Sequence, residues 1–214
     1  MERTIIFLPG IISPAEVRYG ALIEHLRASR TRTQELAVYD DDEPPESYSI
    51  RMELDRLDRV ADEAGIEEFH LFGHSGGGAV ALAYAAERGD RLVSLAVDEP
   101  ASDFTAEGDA VYGWSEFDDA LALPAEARML AFMRLQVAAD VDLPPPPDEP
   151  PPPWMARRPA GIEAFVYALR NHRIELEQFR RFRAPVYFSR GSRTHPRWGG
   201  NAGSTGRDLP GFHR

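Results

Sequence analysis

Phe69-His70-Leu71-Phe72-Gly73-His74-Ser75-Gly76-Gly77-Gly78 joins an apolar run to the alanine-rich stretch 79–88, and the reading of this join decides the fold. Residues before Gly73 suit a strand, and those after Gly78 suit a helix that stops at Gly89. Ser75 then sits at the apex of an abrupt strand-to-helix bend. Gly73 and Gly77 belong there because side chains would collide where strand and helix approach each other. A serine hydroxyl is a poor nucleophile unless it is held exposed and given a base, and such a bend does the holding at the cost of strained backbone. The bend also sets Ser75 at a helix N-terminus, where unpaired N–H groups, including that of Gly76, favour a developing oxyanion. A glycine-rich phosphate-binding turn is the bland alternative; it lacks its lysine, since the chain contains none.

Outward from this bend, strands and helices alternate. Thr4-Ile5-Ile6-Phe7-Leu8 is continuously apolar, as in a strand covered on both faces, and Pro9-Gly10 ends it. Ser13, Pro14 and Glu16 predict a capped helix running to about Ser29, with Val17, Ala21, Leu22 and Leu26 on one face. Residues 33–39 are expected to contain a second strand and 40–45 an exposed acidic loop. Ile50, Leu54, Leu57, Val60 and Ala64 repeat at helical spacing up to Gly65. Further strands are expected at 68–73, 92–97 and 184–189, and helices near 125–138 and 161–182. The alternation predicts an α/β fold, a mostly parallel sheet with helices on both faces and a binding site at the carboxyl ends of the strands. Residues 1–100 and 184–198 form the expected core. Residues 101–183 form a helical cap carrying a proline-rich arm at 143–153, read as an exposed polyproline-like spacer, and 199–214 form an irregular tail.

Composition narrows the function classes. The 214 residues carry 35 acidic against 24 basic side chains, a formal charge of −11, which argues against nucleic acid as a partner. Without cysteine, thiol nucleophiles, disulfides and thiolate metal sites are excluded, and a cytoplasmic location is compatible. The six histidines are scattered without ligand spacing, so no metal is expected, nor any other cofactor. No apolar stretch is long enough for a membrane span, and no secretory signal is evident at the first residues.

These residues resemble the α/β-hydrolase family. Ile5-Ile6-Phe7-Leu8-Pro9-Gly10-Ile11 looks like its early strand and oxyanion loop, 73–77 like its nucleophile elbow, and the order of elements matches over about residues 4–191. The resemblance implies Ser75 as nucleophile, with the N–H groups of Ile11 and Gly76 as oxyanion donors. Pro9 replaces a histidine common in the family, a tolerated change because backbone does the work. His74 is expected to pack beside the nucleophile. The family's orienting acid usually follows the strand after the cap, but Ser192-Arg193-Thr194-His195-Pro196 holds no carboxylate. Glu99, with Asp98 second, occupies the alternative position after the fourth strand. The general base is a late histidine in the family; only His195 and His213 qualify by position, and neither stands in the expected strand–loop–helix setting.

The implied function is serine-dependent hydrolysis of a small-molecule ester through an acyl-enzyme. Trp114, Phe117, Phe132, Trp154, Phe165 and Tyr167 in the cap favour an apolar or ring-bearing substrate, their plainer role being packing. Cofactor-free haloperoxidase-like or C–C hydrolase chemistry is equally compatible. A non-catalytic member retaining only a binding pocket is the competing reading. It gains weight from residues 199–214, whose Gly-, Arg- and Pro-rich composition suits a frameshift in GC-rich coding; on that expectation the last strand and helix are missing and part of a sheet face is exposed.

Overall fold

The computed structural model describes residues 3–26, 29–101, 114–145, 149–195 and 212–213, with backbone alone at 114, 125, 126, 176, 212 and 213. Six strands, β1 (Thr4–Leu8), β2 (Arg30–Thr33), β3 (Phe69–His74), β4 (Leu92–Asp98), β5 (Val186–Ser189) and β6 (Phe212–His213), form one sheet in the order β2-β1-β3-β4-β5-β6. Every pairing is parallel. The helices are α1 (Ala15–His25), α2 (Ile50–Glu63), α3 (Ser75–Arg88), α4 (Trp114–Ala122), α5 (Ala125–Gln136) and α6 (Arg158–Arg170). Within the expected arm Leu143 is half-buried and 144–145 and 149–153 are exposed; 146–148 lie outside the described residues, as do 102–113 of the expected cap and most of the tail.

Strand periodicity separates the two sheet faces. Ile6, Leu8, Leu71, Leu95, Val97 and Val186 are buried on one face, in a single core with Leu54 and Leu57 of α2, Leu82 and Tyr84 of α3, and Phe165 of α6. α3 is buried continuously from Gly76 to Ala85, as its alanine-rich composition allows. The second face carries Phe7 and Phe72, which α1 covers with Tyr19, ring centroids 5.1 and 5.9 Å away. Beyond Tyr19 this face is half-exposed, with a recess of about 360 Å³ between Ile5, Phe72, Ala96 and Leu22.

Several sequence expectations need correction. α1 ends at His25 and buries Ala15 and Tyr19, leaving Val17 and Leu22 62% and 42% exposed. Its N-terminus takes no cap from Ser13; the Glu35 carboxylate accepts the Ala15 N–H instead, at 3.2 Å. The second strand lies at 30–33, while 37–39 form a buried 3-10 turn. The expected cap divides by its packing. α6 buries Ile162, Phe165 and Val166 in the main core, whereas Phe117 of α4 packs edge-on against Phe132 of α5 at 5.4 Å. β6 lies in the expected irregular tail, where Pro and Gly neighbours give no strand period; its partner, the open edge of β5, is supplied by tertiary structure.

The 3-10 turn is held by a buried carboxylate. Glu53, 1% exposed on α2, accepts the N–H groups of Ala37 (2.8 Å) and Val38 (3.1 Å) and the Tyr48 hydroxyl. Tyr39, fixed by this turn, donates its hydroxyl to Ile11 O at 2.5 Å, so Glu53 steadies the loop after β1. Desolvation outweighs the three donors and pushes the Glu53 carboxyl from 4.5 up to about 7. A folded value above the unfolded one stabilises the fold below the unfolded value and loses that contribution as pH rises through the folded value. Glu53→Gln should therefore cost less at about pH 8 than at about pH 5, by up to about 3 kcal/mol of unfolding free energy in urea titrations. A cost that is flat or grows with pH would refute this account.

Candidate active site

Ser75 begins α3 directly after β3, with φ at 50°, in the left-handed region that L side chains seldom adopt. Among the described residues Glu99 (φ 46°) is the only other non-glycine residue there. Both line the same cavity, of about 430 Å³, at the carboxyl ends of the strands. Backbone strain confined to one cavity indicates a site whose geometry the surrounding fold enforces.

Close packing explains the glycines. A Cβ on Gly73 would meet Gly77 O at 2.4 Å, and one on Gly77 would meet Pro9 O at 2.3 Å. Gly77 also donates its N–H to Pro9 O at 3.0 Å, joining the bend to the loop after β1. A Cβ on Gly76 would lie 2.5 Å from Ile11 Cγ2. Ile11 and Gly76 are thus neighbours beside Ser75. The first-turn N–H groups of α3 lack carbonyls one turn earlier, so the Gly76 N–H is free to serve a ligand oxygen.

Asp98 and Glu99, adjacent in sequence, point to different tasks. Asp98 Oδ2 lies 2.9 Å from His74 Nδ1 and Oδ1 accepts the Ser189 hydroxyl at 2.7 Å; Arg18 approaches within 3.8 Å. The His74 hydrogen bond, ahead of the other influences, holds the Asp98 carboxyl below its ordinary range. His74 in turn rests its Cδ2 edge close to Gly10, packing beside the bend as expected. Glu99 Oε1 accepts the Gly191 N–H at 2.9 Å and the Thr194 hydroxyl. Its carboxylate thus enters the loop after β5, the loop that carries no acid of its own.

Sequence reasoning placed no histidine firmly, and the fold sorts them. His25 bonds Ala21 O, His70 bonds Ser94 Oγ within the sheet, and His172 lies 3.0 Å from Glu87. The backbone of His213 is level with Tyr187, Ala96 and Phe72, two residues short of the row His74–Asp98–Ser189. His195 donates its N–H to Gln136 O and follows Thr194, which lines the cavity. Among the described residues no side chain hydrogen-bonds the Ser75 hydroxyl, and no cluster of His, Asp or Glu could hold a metal. No helix among them is long and apolar enough to cross a membrane.

Of the cap aromatics, Phe132 lines the cavity with Met129, Met133 and Gln136, one face of α5, and Phe117 backs it. Phe165 is in the core, Trp154 lies under Arg158, and Tyr167 is 70% exposed; the Trp114 side chain is outside the described residues. Arg18, Arg190 and Thr194 on the cavity wall carried no sequence signal. Their elements are far apart in the chain.

A parallel sheet layered with helices, and a cavity at its carboxyl edge around a serine in a strained strand-to-helix bend, define an α/β protein of the hydrolase type. Residues 4–161 match the model of the alpha/beta hydrolase fold family, and the chain belongs to that family. No curated protein sequence matches it. Among solved structures, a probable hydrolytic enzyme from Pseudomonas aeruginosa PAO1 is 17% identical with a TM-score of 0.60, covering 88% of this chain. This chain spans 64% of that protein's length. A putative lipase from Acinetobacter baumannii AYE is 14% identical with a TM-score of 0.70, over 99% of this chain and 74% of its own. The 2-hydroxy-6-oxo-6-phenylhexa-2,4-dienoate hydrolase of Rhodococcus sp. strain RHA1 is 17% identical with a TM-score of 0.65, over 99% and 81%. At such identities the likeness is one of fold.

Proposed function

We propose that this chain hydrolyses a small-molecule ester through an acyl-enzyme on Ser75. The observation that carries the reading is the positive φ of Ser75 on the cavity wall, a strained conformation that suits a hydroxyl presented for attack. Ser75 Oγ attacks the ester carbonyl carbon and gives up its proton to a general base. The tetrahedral oxyanion takes the N–H groups of Ile11 and Gly76. The alcohol then leaves with a proton, and water attacks the acyl-enzyme in the reverse sequence to release the acid. Glu99 is the proposed acid that orients the base, supported by its place on the cavity beside the acid-free loop; Asp98, committed to His74 and Ser189, is the weaker candidate. His195, next to Thr194 on the cavity wall, is the candidate base.

A fluorophosphonate probe tests this. Peptide mapping should find the adduct on Ser75, and Glu99→Gln should slow labelling by about a hundredfold while Asp98→Asn slows it less. Absence of any adduct in folded protein would remove the catalytic reading and favour a pocket that only binds.

A further inference from the structure

The lining of the Ser75 cavity holds a guanidinium that no carboxylate pairs with among the described residues. Its wall includes Arg18 and Arg190. Its one lining carboxylate, Glu99, accepts the Gly191 N–H and the Thr194 hydroxyl through Oε1 and forms no ion pair with either arginine. Arg18 is drawn toward Asp98 at 3.8 Å, a carboxylate that is also engaged by His74 and Ser189. Arg190, directly after β5, has no ion pair or hydrogen-bond partner among the described residues. In a chain of net charge −11 an unpaired guanidinium on a cavity wall is not part of a general basic surface. Another part of the lining is apolar: Met129, Phe132 and Met133 fall on one side of α5, with Gln136 one turn further on.

We infer that the substrate is an amphipathic acid: an ester whose apolar part lies on α5 and which also carries a carboxylate, received by Arg190 with Arg18 in support. A planar guanidinium offers two parallel N–H donors that match a carboxylate. The cavity, about 430 Å³, is in the range of small-molecule sites. The inference rests on Ser75 being the nucleophile for its catalytic arm, but not for its binding arm.

Two measurements on the full chain keep these apart. The first compares kcat/KM for mono-p-nitrophenyl adipate with that for p-nitrophenyl hexanoate, esters of equal acyl length that differ by a terminal carboxylate. The wild type should prefer the carboxylate by about tenfold or more, a preference that falls with added salt. Arg190→Glu should lower that ratio below one and Arg190→Lys should keep part of it. The second is calorimetric titration with 4-phenylbutyrate and its amide. The acid should bind the wild type about tenfold more tightly, and Arg190→Glu should abolish the difference. Equal affinity for acid and amide, or a ratio unmoved by Arg190→Glu, overturns the proposal. Retained acid binding without turnover of either ester would instead overturn the hydrolase reading and, with it, the ester part of this inference, and leave the carboxylate-binding role of Arg190 standing.

Discussion

Ser75→Gly is expected to give a folded protein that hydrolyses p-nitrophenyl esters at least ~10³-fold more slowly, and that is more stable than Ser75→Ala by about 0.5–1 kcal/mol. Both variants lose the hydroxyl, so both lose covalent catalysis and keep only what the Ile11 and Gly76 N–H groups contribute. They differ in backbone. At φ 50° alanine retains the left-handed penalty that serine bears, while glycine does not; glycine's greater freedom in the unfolded chain offsets part of the gain. Urea melts of the two variants measure the difference directly. An alanine variant as stable as the glycine variant or more so would show that Ser75 is not strained, and retained turnover in either would place the nucleophile elsewhere.

Gly77→Ala should cost about 3 kcal/mol or more and yield little soluble protein. The added Cβ would lie 2.3 Å from Pro9 O and 2.7 Å from Leu8 O, backbone atoms of a buried strand end that have no rotamer to escape into. Moving them apart would also break the 3.0 Å bond from Gly77 N–H to Pro9 O, and with it the hold of the bend on the Ile11 loop. Gly20→Ala is the control. Gly20 sits inside α1 with nothing within 4 Å of a new Cβ, so that change should stabilise by about 0.5–1 kcal/mol. Equal thermal midpoints for the two alanine variants would contradict the packing described for the bend.

Local chemistry made the frame legible along the chain. The β-branched run at 4–8, the heptad-like spacing of α2 and the pattern Gly73-x-Ser75-x-Gly77 each express a physical demand within a few residues: burial on two faces, an apolar stripe, a close approach. The register of a parallel sheet then carried Ser75 and Glu99 to one edge. Where the reading of α1 and of residues 33–39 failed, the deciding partners were distant. Glu35 caps α1 although it lies 20 residues on, and Glu53 of α2 folds 37–39 into a turn by accepting its N–H groups. Hydrogen bonds of that kind leave no periodic trace. The division of work between Asp98 and Glu99, and the presence of Arg18 of α1 and Arg190 after β5 in one cavity lining, have the same origin: they depend on which elements lie side by side, and side-by-side placement is a property of the folded chain, whereas a glycine's tolerance of crowding is already written into the residue itself.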